Sequence, residues 1–142
     1  MTQALKIFCD GGARGNPGPA AIGFVIYNQQ GELIHRQGIA IGKATNNVAE
    51  YQGVIHSLKW LKQNYLNKYK PTMINFNLDS KLVVNQLSGL FKIKKPHLQK
   101  LVLLIKQLER ELVVPVTYCY IPREKNYLAD QLLNQALDQL MS

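Results

Sequence analysis

Nine aspartates and glutamates stand against seventeen lysines and arginines in this 142-residue chain, and four of the nine fall where solvation alone does not explain them. Asp10 follows the alternation Leu5, Ile7, Cys9 and closes a first predicted strand. Asp79 closes another, after Ile74, Phe76 and Leu78. Glu50 falls in the first turn of a predicted helix, on the stripe of Val54, Leu58 and Leu61. Asp130 falls in the first turn of the last predicted helix, on the stripe of Leu133 and Leu137. Strand C-terminal ends and helix starts can share one edge of an α/β sheet, the edge where such folds place their sites.

Taken singly, each acid has a plainer role. Asp before Gly-Gly forms turns, Asp-Ser caps helices, and first-turn acids complement the helix dipole. Together, four convergent carboxylates would repel one another unless positive charge sat between them. Two divalent cations would cancel the four charges, and all-oxygen donors suit Mg²⁺ or Mn²⁺ rather than zinc. With those four neutralised, five acidic residues remain against seventeen basic ones. A metal site for phosphate chemistry inside a basic protein is the coherent reading.

The elements that must position these acids are read from hydrophobic period. Leu5–Asp10 alternates as a strand, and the glycine- and proline-rich stretch Gly11–Pro19 breaks it. Ala20–Asn28 and Glu32–Ile41 read as two further strands around Asn28-Gln29-Gln30-Gly31. Connections this short make the three an antiparallel meander. Helical spacing then runs from Thr45 to about Tyr65, with Thr45 or Asn46 as the N-cap. Met73–Asp79 is a strand and Ser80–Leu87 a short helix. Pro96 opens an amphipathic helix through Leu98, Leu101, Val102, Ile105, Leu108 and Leu112. Val116–Ile121 is the last strand and Asn126–Met141 the last helix. The order β-β-β-α-β-α-α-β-α is an α/β chain whose later strands are joined by helical crossovers.

Composition bounds the rest. The chain is 46% hydrophobic and 18% charged, too apolar and too periodic for disorder. No repeat, linker or low-complexity tract interrupts it, so residues 1–142 are expected to form one domain. The longest strongly apolar run, Leu101–Ile105, is far short of the roughly 18 residues of a membrane span. The start lacks the charged head and apolar core of a signal peptide. Two cysteines alone make neither a disulfide framework nor a zinc site, so a reduced, cytoplasmic protein is expected. A monomer is expected as well. Cys9 and Cys119, on the first and last strands, read as buried core thiols. His35, His56 and His97 read as surface or packing residues. The net charge of +8 points to a polyanionic partner, nucleic acid being the commonest.

Four motifs in order resemble the type 1 ribonuclease H family over essentially the whole chain. They are Asp10-Gly-Gly-Ala-Arg-Gly-Asn-Pro-Gly-Pro-Ala20, Thr45-Asn-Asn-Val-Ala-Glu50-Tyr51, Asp79-Ser80 and Ala129-Asp130. The resemblance implies the ribonuclease H-like fold, a five-stranded mixed sheet of order 3-2-1-4-5 flanked by helices. It implies an endonuclease that hydrolyses the RNA strand of an RNA–DNA hybrid with two Mg²⁺ ions, or Mn²⁺ in their place. The products would carry 5′-phosphate and 3′-hydroxyl ends. Carried over by position, Asp10, Glu50, Asp79 and Asp130 are the catalytic, metal-binding acids. Gly11, Gly12, Asn16, Asn46 and Asn47 match positions that sense the ribose 2′-hydroxyl, a group that donates and accepts. Thr45 and Lys43 match the family's DNA-phosphate pocket.

Two departures stand out. Gly89-Leu-Phe-Lys-Ile-Lys-Lys-Pro96 replaces the longer basic protrusion of some members, so Lys92, Lys94 and Lys95 supply only part of its charge. The loop Ile121-Pro-Arg-Glu-Lys-Asn126 has no histidine where many members place one. Arg123 in that loop could contact phosphate but, always protonated, cannot act as a base. This loop resembles the shorter bacterial and archaeal branch, some of whose members also accept double-stranded RNA. The main rival is a non-catalytic hybrid- or RNA-binding module on the same fold, which would have no use for four acids beside phosphate. A resolvase- or integrase-like nuclease would not need the Asn46-Asn47 pair. Gly12-Ala-Arg-Gly15 has the GxxG form of a KH loop but follows a strand, and no P-loop is present.

Overall fold

Alternating apolar residues give the strands their buried face, and a change to helical spacing marks each crossover. The computed structural model describes residues 3–90 and 92–141. Its elements are β1 (Ala4–Ala13), β2 (Gly18–Tyr27), β3 (Leu33–Ala44), α1 (Asn46–Asn64), β4 (Met73–Leu78) and α2 (Lys81–Leu87). There follow α3 (Pro96–Leu112), β5 (Val116–Tyr120), a 3₁₀ turn over Arg123–Lys125, and α4 (Tyr127–Met141). The five strands form one mixed sheet of order β3-β2-β1-β4-β5, the order the resemblance implies. β1, β2 and β3 pair antiparallel, while β4 runs parallel to both β1 and β5.

β1 does not stop at Asp10. It continues to Ala13 because Gly11, Gly12 and Ala13 still pair with Ile22, Ala21 and Ala20 of β2. The break expected over Gly11–Pro19 is therefore confined to the four residues between Ala13 and Gly18, and Asp10 lies inside a strand. Similarly, β3 extends past Ile41 to Ala44. Thr45 is the N-cap of α1, its hydroxyl accepting from the Val48 amide at 3.2 Å, so Glu50 sits in the second helical turn rather than the first.

The sheet buries both faces to different depths. Leu5, Ile7 and Cys9 of β1, with Ile22, Phe24 and Ile26 of β2, join Val54, Leu58 and Leu61 of α1 in the main core. Leu98, Ile105, Leu108 and Leu112 bring α3 into the same cluster. His35 stacks on Trp60 with ring centroids 4.2 Å apart, a packing role as expected, while His56 is half-buried and His97 exposed. On the other face α4 packs Leu133 and Leu137 against Ala21. Cys9 is buried, but Cys119 is exposed, which corrects the expectation of two core thiols. The reason is its position: β5 is an edge strand, and Thr117 and Cys119 lie on its solvent side. Both cysteines are free.

Glycines set how near the helices come. A Cβ on Gly23 would lie 2.2 Å from the Ala129 carbonyl oxygen, and one on Gly38 2.3 Å from that of Leu132. α4 thus rests its backbone directly on β2 and β3. Gly23→Ala is expected to push α4 off the sheet and to destabilise the fold by about 1–3 kcal/mol, the range of overpacked core sites. Urea denaturation checks this, and an unchanged midpoint would mean that α4 is not held by that contact.

Candidate active site

Four elements, β1, β4, α1 and α4, deliver one candidate acid each to one end of the sheet. Asp10 faces Gly23 across the β1–β2 ladder, and Gly23 lies under α4. Phe8 is in register with Asn77, and continuing that parallel register puts Asp79 beside Asp10. α1 comes in from the opposite face: a Cβ on Gly11 would meet the Ala49 carbonyl oxygen at 2.1 Å and the Glu50 amide nitrogen at 2.6 Å. Asp130 enters in the first turn of α4. A cleft of about 310 Å³ is lined by Asp10, Gly11, Gly12, Asn46, Glu50, Arg123 and Asp130, among others. Asp79 and Ser80 line an adjoining recess with Asp10 and Glu50.

Electrostatics records the crowding. Burial, then the Asp79 charge, pushes Asp10 up to about 8, with Asp130 and Glu50 adding to the rise and the Gly11 amide opposing it. That amide donates to Asp10 Oδ1 at 2.9 Å. Burial pushes Glu50 up to about 7, opposed by a hydrogen bond with Ser80 and by the Arg123 guanidinium. Burial also pushes the Cys9 thiol well up, aided by Asp10, Asp79 and Glu50, so it is protonated and no rival ligand.

The donor chemistry fits a hard divalent cation. The candidate ligands are carboxylates, and Glu50 Oε2 is buried without a hydrogen-bond partner. A cation would satisfy that oxygen and relieve the repulsion that raises Asp10. Among the described residues, however, no three His, Cys, Asp or Glu side chains form a finished metal cage. The carboxylates line the cleft and its adjoining recess.

The remaining predicted residues divide into three groups. Asn16 and Asn46 join the turn after β1 to the start of α1: the Asn46 amide donates to Asn16 Oδ1 at 3.0 Å, and the Ala13 amide to Asn46 Oδ1 at 2.9 Å. Thr45 is occupied as a helix cap, and Asn47 is partly buried in the first turn of α1. Lys43 is exposed near the end of β3, outside the cleft. The structure also brings in residues the sequence reading missed. Asn126 is buried just before α4, and its Nδ2 donates to the Cys9 carbonyl at 2.9 Å and to Asp79 Oδ2 at 3.1 Å. Arg14 and Asn134 line the cleft beside Asp130. Asn134 had one legible signal, its place one helical turn after Asp130.

Comparison with known proteins defines the class as a ribonuclease H-like domain. The family model described as reverse transcriptase-like matches residues 8–136. LC11-RNase H1, isolated from compost and solved in complex with an RNA/DNA hybrid, is 40% identical with a TM-score of 0.92. That match covers 97% of this chain and 99% of the other. RNase H1 of Halobacterium salinarum is 34% identical in its solved structure, with a TM-score of 0.87 over 96% of this chain and 98% of that one. The bifunctional protein Rv2228c of Mycobacterium tuberculosis is 41% identical over 94% of this chain, which spans 35% of that protein's length. The chain belongs to the type 1 ribonuclease H family. No helix among the described residues is long and apolar enough to cross a membrane.

The raised carboxylates carry a pH prediction. Native Asp10 and Glu50 bind protons more tightly than in the unfolded chain, whose carboxylates ionise near their ordinary values of 3.8 and 4.5. Their contribution to the stability of the metal-free protein is therefore full below about pH 4 and is lost as pH rises to about 8, because the unfolded state ionises first. Asp10→Asn is expected to flatten that fall and to raise the melting temperature at pH 8 in EDTA. Thermal melts across pH check this; a wild-type profile flat from pH 4 to 8 would count against crowded acids.

Proposed function

We propose that the chain is a metal-dependent endoribonuclease that hydrolyses the RNA strand of an RNA–DNA hybrid, residues 1–142 acting as one catalytic domain. The observation that carries this reading is the convergence of Asp10, Glu50, Asp79 and Asp130 at one end of the sheet. Kinship with ribonuclease HI enzymes supports it. Those four acids would hold two Mg²⁺ ions, or Mn²⁺, whose chemistry is to activate a water and to stabilise the departing 3′ oxygen. The new bond joins the water oxygen to phosphorus as the P–O3′ bond breaks. The 3′ oxygen takes a proton, leaving 5′-phosphate and 3′-hydroxyl ends.

The chain's own groups orient the substrate. Asn16 and Asn46 spend their amide oxygens on each other's backbone segments, which leaves amide nitrogens to donate to a 2′-hydroxyl. A Cβ on Gly12 would rest against Leu133 Cδ1 at 3.6 Å and Asn46 Oδ1 at 3.9 Å, which sets Gly12 beside Asn46, and Gly11, Gly12 and Asn47 serve the ribose with them. Thr45 and Lys43 serve the DNA phosphate, and Arg123 the phosphate at the cleft. Arg123 cannot accept a proton, so it acts by charge alone. Double-stranded RNA is the second substrate to consider, because the loop at Arg123 has the sequence of the short branch.

Labelled hybrid, double-stranded RNA, single-stranded RNA and DNA duplex are to be incubated with Mg²⁺ and with Mn²⁺, with Asp79→Asn as the control. The expected result is metal-dependent cutting of the RNA strand of the hybrid, abolished in Asp79→Asn. Hybrid binding without cutting under either metal would favour the non-catalytic module.

Lys92, Lys94 and Lys95 are exposed on the stretch leading into α3. Replacing all three with alanine is expected to weaken hybrid binding and to flatten its log–log salt slope by about one unit per lost phosphate contact. An unchanged slope would make the run a solvated loop.

A further inference from the structure

Asp130, Asn134 and Asp138 recur every fourth residue along one stripe of α4. Asn134 Nδ2 donates to the Asp130 carbonyl at 2.9 Å and to its carboxylate Oδ1 at 3.3 Å. On the other side, Arg14 Nη2 lies 3.4 Å from Asn134 Oδ1, 3.5 Å from its carbonyl and 2.7 Å from Asp138 Oδ1. Both sides agree on one orientation of the amide, oxygen towards the guanidinium and nitrogen towards the carboxylate. A flipped amide would set donor against donor and acceptor against acceptor. Asparagine is a poor residue for a helix interior, where alanine is best. Its presence here is offset by what the side chain touches.

We propose that Asn134 is a positioning residue for Asp130, and that Arg14, clasped to Asp138, ties that orientation to the turn between β1 and β2. The inference rests on reading Asp130 as one of the metal-binding acids. A hydrogen bond to an ionised oxygen is among the stronger kinds. With Oδ1 held, the carboxylate has fewer orientations to lose when a cation binds. Arg14 is the first residue after β1, and its own amide donates to the Pro19 carbonyl at 2.8 Å. A substrate that shifts this turn is thereby felt at Asp130 through two side chains.

The test is Mn²⁺ binding by calorimetry alongside hybrid kinetics, on wild type, Asn134→Ala, Asn134→Gln, Asp130→Asn and the Asp130→Asn/Asn134→Ala double variant. Asn134→Ala is expected to weaken Mn²⁺ binding by about 10-fold, as for groups that orient a ligand. It should lower kcat with KM unchanged and leave the melting temperature equal or higher, since alanine favours helix. Asn134→Gln, which restores an amide within reach, should recover most of the loss. In the Asp130→Asn background Asn134→Ala should add nothing.

Equal Mn²⁺ affinity for wild type and Asn134→Ala overturns the proposal, as does an equal loss in both backgrounds or no Mn²⁺ binding by wild type. Wild type that binds Mn²⁺ with this coupling intact yet leaves hybrid uncut would defeat the proposed nuclease activity instead, and the positioning role would stand.

Discussion

Backbone-to-backbone contact at two glycines is the constraint on which the rest of this molecule depends. Gly11 follows Asp10 and lies against the Ala49 carbonyl and the Glu50 amide, so it sets the distance between the first and second acids. Gly23 is the ladder partner of Asp10 and lies against the carbonyl of Ala129, the residue before Asp130. One glycine fixes α1 against β1 on one face of the sheet, and the other fixes α4 against β2 on the opposite face. Asp10 is common to both contacts. Any Cβ at either place would move a carboxylate by an appreciable fraction of the cleft.

What the glycines bring together, electrostatics would drive apart, and the surroundings answer in kind. Asn126 donates to Asp79, Ser80 bonds to Glu50 while capping α2, and Asn134 donates to Asp130. Each donor is neutral, so it orients an oxygen without neutralising its charge. The only cation acting directly on a raised carboxylate, among the described residues, is Arg123 on Glu50. The cleft is therefore organised but not compensated, which is the state expected of a site whose positive charge arrives with its ligand.

Most of the fold was legible because its signals are local. Alternation in Met73–Leu78 and helical spacing from Val54 to Leu61 each announce an element without reference to the rest. The four acids were legible because elements of known direction end near them. The extension of β1 to Ala13 was not, since a Gly-Gly step reads as a turn until a partner strand supplies hydrogen bonds. Cys119 was misread for a similar reason: Val116–Tyr120 alternates weakly, and only the position of β5 at the sheet edge decides which side meets solvent. Asn126 and Arg14 act over sequence separations of 47 and 124 residues, on Asp79 and Asp138 respectively, and no period encodes that.

The loop without a histidine has a physical consequence for the proposed chemistry. An imidazole beside the acids would change charge near neutrality and could carry a proton across the cleft. The Arg123 guanidinium keeps its charge throughout, so it can only bias Glu50 towards ionisation, against the burial that raises it. In the proposed chemistry proton movement would then rest with carboxylates and water. The groups raised towards neutrality by their surroundings are Glu50, at about 7, and Asp10, at about 8 and at the junction of both glycine contacts. In the proposed chemistry a fixed cation and a set of carboxylates of adjustable charge would divide the work differently from a histidine loop: the arginine would hold phosphate, and cation binding would decide when the acids ionise.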